Sequence, residues 1–430
     1  MDRTTRRAAL ALSASLALAA PLAVAGSAHA ADDRSPSPAV TAADAPLSEV
    51  VADAARAAQR DLARNRTLAQ GPTTPADAEL DAALDAVVAD GAIGVTARVE
   101  TASDIWRGAA GTREREGHAP ARPRDRFRAA SNTKPMIATL VMQEVEKGTW
   151  TLDTPVAEVL PGVMPADVTI EQLLSHRSGA PTATDWILLS RVADPTSVDE
   201  VFAVMGQEVT EADHLEAARS APWMHEPGTD FSYSNAGYVV LGVMLEEVTG
   251  HSVETLLRHR VFAPAGMRQS AYPDDPGVRG PFLHESAYTG PEGAGWYDLD
   301  HFDPSLFDAA GAVTSTTEDL ADFTEALVTG RLVDPETTAD MLDPRTVDHE
   351  VFPDYGLGVY RIPDPCVPGG WLYGHDGVSY GTLSFNFTSP DGERQLSLAV
   401  TGRDMAYPVY TDEPLYDLNG VLVPALLATC

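Results

Sequence analysis

Lysine is almost missing from this chain. Of 430 residues, 30 are lysine or arginine, and only Lys134 and Lys147 are lysine. Arginine cannot lose its proton in a protein, whereas a desolvated lysine can. General-base chemistry by an amine is therefore excluded everywhere except at two positions. Lys147, in Glu146-Lys147-Gly148, reads as an ordinary cation at a helix C-terminus. Lys134 stands three residues after Ser131, in Phe127-Arg128-Ala129-Ala130-Ser131-Asn132-Thr133-Lys134. Positive charge as a whole is scarce: the formal net charge is −33. A surface of that sign repels nucleic acid and anionic membranes, so neither is expected as a partner. Long apolar runs are absent after the N-terminus, which excludes a later helix of the ~20 residues that span a bilayer. Val421 to Leu427 is apolar but short, and reads as a helix packed on the domain. Cysteine is limited to Cys366 and Cys430, which form either one disulfide or two buried thiols.

The N-terminus reads as an address. Arg3, Arg6 and Arg7 precede an Ala/Leu-rich run from Ala8 to Ala25, and Ala28-His29-Ala30 is a small-x-small cleavage site. Residues 1–30 are thus expected to be a signal peptide, cleaved after Ala30, and the mature protein to be secreted without a stable membrane anchor. Retention of the segment as an anchor helix is the alternative. Residues 31–75 read as a spacer, closed by the breaker Gly71-Pro72-Thr73-Thr74-Pro75. Residues 76–430 read as one globular domain without internal repeats, long enough for two lobes.

Within that domain a helix is expected at Ala78–Ala89. Ile93–Glu100 alternates apolar and polar residues like a half-buried strand, with Ile105–Ala110 as its hairpin partner. An apolar-periodic helix follows Ser131 and stops at Gly148, with Pro135 tolerated in its first turn. Thr169-Ile170-Glu171-Gln172 is a capping box for a short helix to His176. Tyr238–Val248 is helical and ends at Gly250. Thr382–Phe387 and Leu396–Val400 read as strands joined by Ser389-Pro390-Asp391-Gly392, and Tyr416–Thr429 reads as a closing helix. Strands at both ends and helices between imply an α+β fold, one antiparallel sheet built from both termini with an inserted helical lobe.

Serine three residues before lysine puts both side chains on one helix face. At a helix start, free backbone N–H groups favour a developing negative charge. A serine needs an adjacent base to become a nucleophile, and a neutral lysine can serve. Two further motifs accompany this pair. Phe231-Ser232-Tyr233-Ser234-Asn235 precedes a helix and offers a phenol to relay a proton and an amide to hold a carbonyl. Gly374-His375-Asp376-Gly377 precedes an apolar strand, where glycine lets a substrate backbone lie close. Each also has a structural explanation, as a capping turn or a strand histidine, so it is the combination that carries weight.

In that order, Ser131-x-x-Lys134, Tyr233-x-Asn235 and His375-x-Gly377 resemble the catalytic motifs of the penicillin-recognising serine hydrolases. The chain is most similar to the secreted actinomycete D-alanyl-D-alanine carboxypeptidases, relatives of class C β-lactamases and of certain esterases. The resemblance extends through Asp125-Arg126-Phe127-Arg128, Gln172-Leu173-Leu174-Ser175-His176-Arg177-Ser178-Gly179, Tyr233-Ser234-Asn235-Ala236-Gly237-Tyr238, Ala310-Gly311-Ala312 and Tyr355-Gly356-Leu357-Gly358, covering roughly residues 77 to 430. It implies a β-lactamase/DD-peptidase-like fold and a Cys366–Cys430 disulfide. It also implies a two-step acyl transfer through Ser131, with Lys134 and Tyr233 moving the proton. The N–H groups of Ser131 and Val378 would hold the oxyanion, Asn235 would orient the substrate, and His375 would stand where other branches have lysine. No metal or cofactor is called for. The expected partner is a small peptide, ester or β-lactam, met by a monomer.

The chain departs from the family at the carboxylate clamp. The hydroxyls in and just after the His-x-Gly motif are replaced by Asp376 and Val378, and the family's arginine falls on Tyr360. Arg361, one residue on, serves only if a bulge turns it, because a one-residue shift on a strand changes face. Three functions stay open: a D-Ala-D-Ala carboxypeptidase or related D-peptidase; an esterase or β-lactamase-like hydrolase without a carboxylate clamp; and a non-enzymatic binding module.

Overall fold

The structure, a computed structural model, describes residues 75–194, 197–290, 295–347, 352, 354–406 and 414–430. The expected signal peptide and nearly all of the spacer lie outside the described residues. The first helix, α1 (Asp77–Asp90), buries Leu80, Leu84 and Val87 along one face, and Gly91 ends it. The hairpin β1 (Gly94–Glu100) and β2 (Ile105–Gly111) follows. The chain then enters the helical lobe, in which α2 (Thr133–Glu146), α3 (Asn235–Thr249) and α4 (Thr317–Val328) are the long members. It returns through β3 (Thr346–Val347), β4 (Asp354–Tyr355), β5 (Tyr360–Pro363), β6 (Trp371–Val378), β7 (Thr382–Thr388) and β8 (Gln395–Thr401), and ends in α5 (Asn419–Ala428).

These strands form one eight-stranded sheet, ordered β2-β1-β8-β7-β6-β5-β4-β3 and antiparallel throughout. The first and last strands of this sheet in chain order, β1 and β8, lie side by side one strand in from the β2 edge, where Val95 faces Val400 and Ala97 faces Leu398. A sheet closed in this way cannot form until both ends of the domain are present, so the helical lobe is an insertion held at both its ends. Leu383, Phe385, Phe387, Leu396, Leu398 and Val400 share one apolar cluster with α1 and α5. A second cluster runs through α2, α3 and the rest of the lobe.

Three expectations need correction. β1 is not half-buried: every residue from Gly94 to Val99 is buried. Its alternation arises because the second face of the sheet is polar yet covered. There Ser384, Asn386 and Ser397 lie under α4, and Asn386 Nδ2 donates to the Leu320 carbonyl at 2.9 Å. Ser397 Oγ donates in turn to Asn386 Oδ1, and Ser384 bonds to Ala129 and Asn132, so protein groups rather than water satisfy these three side chains. The closing helix starts at Asn419 rather than Tyr416. Ser131 lies not in the α-helix but in a 3₁₀ turn, Ala130–Asn132, that feeds α2.

Cys366 and Cys430 are bonded, with Cα atoms 5.2 Å apart, tying the last residue of the chain to the loop between β5 and β6. Among the described residues no helix is long and apolar enough to cross a membrane.

Candidate active site

The turn carrying Ser131 is held from several directions. Phe127–Arg128 pairs with Thr314–Ser315. Ala129 N–H donates to the Val313 carbonyl, and Val313 N–H donates to Thr133 Oγ1. On the sheet side, Ser384 Oγ donates to the Ala129 carbonyl at 3.0 Å and accepts from Asn132 Nδ2 at 2.9 Å. A Cβ on Gly377 would come within 2.2 Å of the Ala129 carbonyl oxygen. The glycine of His375-x-Gly377 is thus what lets β6 close on the serine turn. Ala130 has φ 48°, a left-handed conformation that costs an L-residue about 1–2 kcal/mol and is sustained by this docking.

In the first turn of α2, the Lys134 side chain is fully buried. Its Nζ lies 3.1 Å from Ser131 Oγ, 2.8 Å from Asn235 Oδ1 and 2.9 Å from the Ala310 carbonyl oxygen. It also sits 4.7 Å from the Tyr233 ring centroid and 5.5 Å from that of Tyr238, where an ammonium gains cation–π attraction.

Tyr233-Ser234-Asn235 opens α3. Ser234 is its N-cap, accepting from Gly237 N–H at 3.0 Å while its hydroxyl donates to the Pro181 carbonyl at 2.7 Å. Asn235 is fixed from both ends of its amide, by Lys134 and by a 3.0 Å bond from Nδ2 to Thr184 Oγ1. His176, at φ 58° just past its short helix, steadies the segment before it. Its carbonyl accepts from Ser232 N–H at 2.8 Å, and its Nδ1 accepts from Ser234 N–H at 3.1 Å. Its ring lies 4.2 Å from that of Tyr233, 5.2 Å from Tyr238 and 4.9 Å from Tyr355. Accepting at Nδ1 puts the proton on Nε2, which is buried without a hydrogen-bond partner. Burial, reinforced by the Lys134 charge, holds this imidazole well below its usual pKa.

On β6, His375 is buried and its Nε2 lies 3.0 Å from Tyr355 Oη. Burial pushes its pKa down to about 3, so it is a neutral hydrogen-bonding group. β5 pairs with β6 only from Trp371 to Gly374. Ser379 N–H bonds to Thr382 across the turn into β7, so the alternation of an antiparallel ladder turns Val378 N–H the other way, to the edge that β5 leaves open.

The structure therefore brings Ser131, Lys134, Tyr233, Asn235, His375, Gly377 and Val378 together where the lobe meets β6. Arg361 is not brought there. It lies on the face of β5 opposite Tyr360, its Nε 2.9 Å from Asp354 and its guanidinium stacked 4.1 Å from the Trp371 ring centroid. No bulge intervenes: Tyr360 pairs with Gly374 and Arg361 with Tyr373 in regular register. It is Tyr360 that faces the motif, donating to Asp376 Oδ1 at 2.7 Å. His176, Thr184, Tyr355 and Tyr360 are the members that motif reasoning left without a role. Two of them, His176 and Tyr355, sit inside segments that resemble the family.

A buried amine against a serine hydroxyl, beside an open strand edge on an antiparallel sheet, defines a serine-type hydrolase. The Beta-lactamase family model matches residues 65–413, and the chain belongs to that family. It is 30% identical to penicillin-binding protein 4 of Amycolatopsis lactamdurans over 327 residues, 70% of this chain and 79% of that one. Among solved structures it is similar to a D-stereospecific amidohydrolase from Streptomyces (29% identity, TM-score 0.66, covering 76% of this chain and 95% of that one). It is also similar to the D-amino acid amidase of Ochrobactrum anthropi SV3 solved with D-phenylalanine (25% identity, TM-score 0.66, covering 82% and 98%).

Proposed function

We propose that this protein is a secreted hydrolase that opens small amide, peptide or ester bonds through an acyl-enzyme on Ser131. The observation that carries the reading is the set of groups around Lys134 Nζ. Asn235 Oδ1 and the Ala310 carbonyl can only accept hydrogen bonds, whereas the Ser131 hydroxyl can donate. A neutral amine spends its two hydrogens on the acceptors, which leaves its lone pair for the serine proton. Ser131 Oγ then bonds to the substrate carbonyl carbon as its proton passes to Lys134. The carbonyl oxygen becomes an oxyanion between the N–H groups of Ser131 and Val378. Collapse breaks the bond to the leaving atom, which takes a proton relayed by Lys134 and Tyr233, and water repeats the sequence to free the acid. Asn235 uses its remaining amide hydrogen to orient the substrate, and His375 supports the wall of the site through Tyr355.

The kinship with penicillin-binding protein 4 supports a D-Ala-D-Ala carboxypeptidase acting on cell-wall peptides. That activity needs a cation for the substrate's terminal carboxylate, and Arg361 is committed to Asp354 and Trp371. The likeness to the D-stereospecific amidohydrolase supports D-configured amides and esters, which need no such cation, and this is the better-supported substrate class. The test is labelling of the full-length protein with a neutral fluorophosphonate, with the site mapped by peptide mass spectrometry and turnover read on nitrophenyl esters. Modification at Ser131 with ester turnover is expected. An unlabelled Ser131 and no turnover of any ester refute the reading.

A further inference from the structure

The stretch of β6 that β5 leaves open, His375–Val378, carries one carboxylate. Asp376 lies two residues before Val378, ~6.6 Å along an extended strand. It is 5% exposed, and Tyr360, itself 1% exposed, donates to it at 2.7 Å. Burial and the neighbouring Asp376 charge both hold the Tyr360 phenol well above its usual pKa, so Tyr360 stays a neutral donor and brings no positive charge. Lys134 is occupied by Ser131, Asn235 and Ala310, and Arg403 donates to the Ser379 carbonyl at 2.7 Å. Arg361 is on the opposite face of its strand.

Which half of a substrate passes Asp376 follows from Tyr233. The leaving atom must face Tyr233 to receive its proton. Phe352 stacks on the Tyr233 ring at 5.1 Å and meets the Tyr360 ring edge-on at 5.3 Å, while His375 lies 6.3 Å from Tyr233 and 5.4 Å from Tyr360. Tyr360 and Asp376 are therefore on the Tyr233 side of the carbonyl, where the leaving group departs.

We propose that Asp376, held by Tyr360, sets the charge of the leaving group: the site takes bonds whose leaving group is neutral or cationic and rejects those with a carboxylate beside the scissile bond. The inference rests on the acyl-enzyme reading above and names the substrate class within it. Discrimination here comes from a repulsive element built into the protein rather than from an added contact. A carboxylate docking there would meet a like charge in a largely desolvated wall, where the interaction is screened far less than at the surface.

The experiment compares 3-carbamoylphenyl and 3-carboxyphenyl esters of N-acetyl-D-alanine on the full-length protein, each rate corrected for the ester's own hydrolysis in buffer. The expected kcat/KM ratio favours the carbamoyl ester by at least about tenfold, equivalent to about 1.4 kcal/mol. Asp376→Asn keeps the shape and removes the charge, and should draw the ratio towards one, mostly through KM of the carboxylate ester. Equal rates for the two esters in the unmodified protein overturn the inference without needing any variant. So does a folded Asp376→Asn protein with an unchanged ratio. Labelling of Ser131 by the fluorophosphonate without turnover of the carbamoyl ester overturns this inference alone. Failure of both labelling and turnover overturns the acyl-enzyme reading and this inference with it.

Discussion

His176 should be a positioning residue for the Tyr233-Ser234-Asn235 segment, and two substitutions separate that role from bulk packing. In His176→Leu the buried Ser234 N–H loses its acceptor, at a cost of about 1–3 kcal/mol. The φ of 58° adds about 1 kcal/mol or more, because leucine tolerates the left-handed region worse than histidine. Removal of the unpartnered Nε2 returns part of this. A net loss of about 2–4 kcal/mol follows. His176→Asn places Oδ1 where Nδ1 was and accepts positive φ, but empties the ring space beside Tyr233, Tyr238 and Tyr355. Its stability cost is therefore a cavity cost of about 1–3 kcal/mol. Activity discriminates between them. The leucine variant should lose about 100-fold in kcat/KM, the scale of a 1 Å misplacement of a catalytic group. The asparagine variant should stay within about tenfold, since the hydrogen bond that sets the segment is kept. Urea unfolding and ester kinetics read both quantities. Equal loss of activity in the two variants, or full activity in His176→Leu, would refute a positioning role.

Two further outcomes are expected. Replacing both Cys366 and Cys430 by serine opens a loop of sequence separation 64 and should lower unfolding free energy by about 4 kcal/mol in denaturant titration. A loss under about 1 kcal/mol would mean that the reduced chain is already constrained there. For pH, His375 is neutral in the fold with its pKa held at about 3, and takes up a proton on unfolding once the pH drops below about 6.5. The stability it contributes is complete above that value and is lost as pH falls, by about 1.4 kcal/mol per unit. Asp322, lifted by burial to about 6, works in the opposite sense and is common to both proteins compared. His375→Gln should therefore reduce the slope of stability against pH by about one proton between about pH 6 and 4. An unchanged slope would contradict a buried neutral His375.

The sheet, the lobe and the central motifs were legible because they rest on local rules. Hydrophobic period, the Thr169–Gln172 capping box and the glycines at 148 and 250 place helices without reference to the rest of the chain. What escaped depends on contacts between distant segments. The alternation in β1 has the period of a strand facing water, and only α4, more than 200 residues on, shows that the polar face is covered. The 3₁₀ turn at Ser131 follows from the approach of Gly377 and Ser384 to Ala129, which no local pattern announces. The register of β5 settles Arg361 against Tyr360, and a register is a property of two strands. His176 and Tyr355 were visible as parts of family-like segments, but their duties appear only when both are packed against Tyr233 and His375.

The central claim is that Lys134 acts as an amine able to give up its proton to solvent and take one from Ser131. The most direct test is the rate at which a neutral activated ester acylates Ser131, followed by intact-protein mass, in the unmodified protein and in Lys134→Arg and Lys134→Met. Arginine keeps the charge and the donors but cannot deprotonate, and methionine keeps the length without either. A single acyl adduct on the unmodified protein and none on either variant, with all three folded, is the predicted result. Acylation of folded Lys134→Arg at the unmodified rate would contradict it.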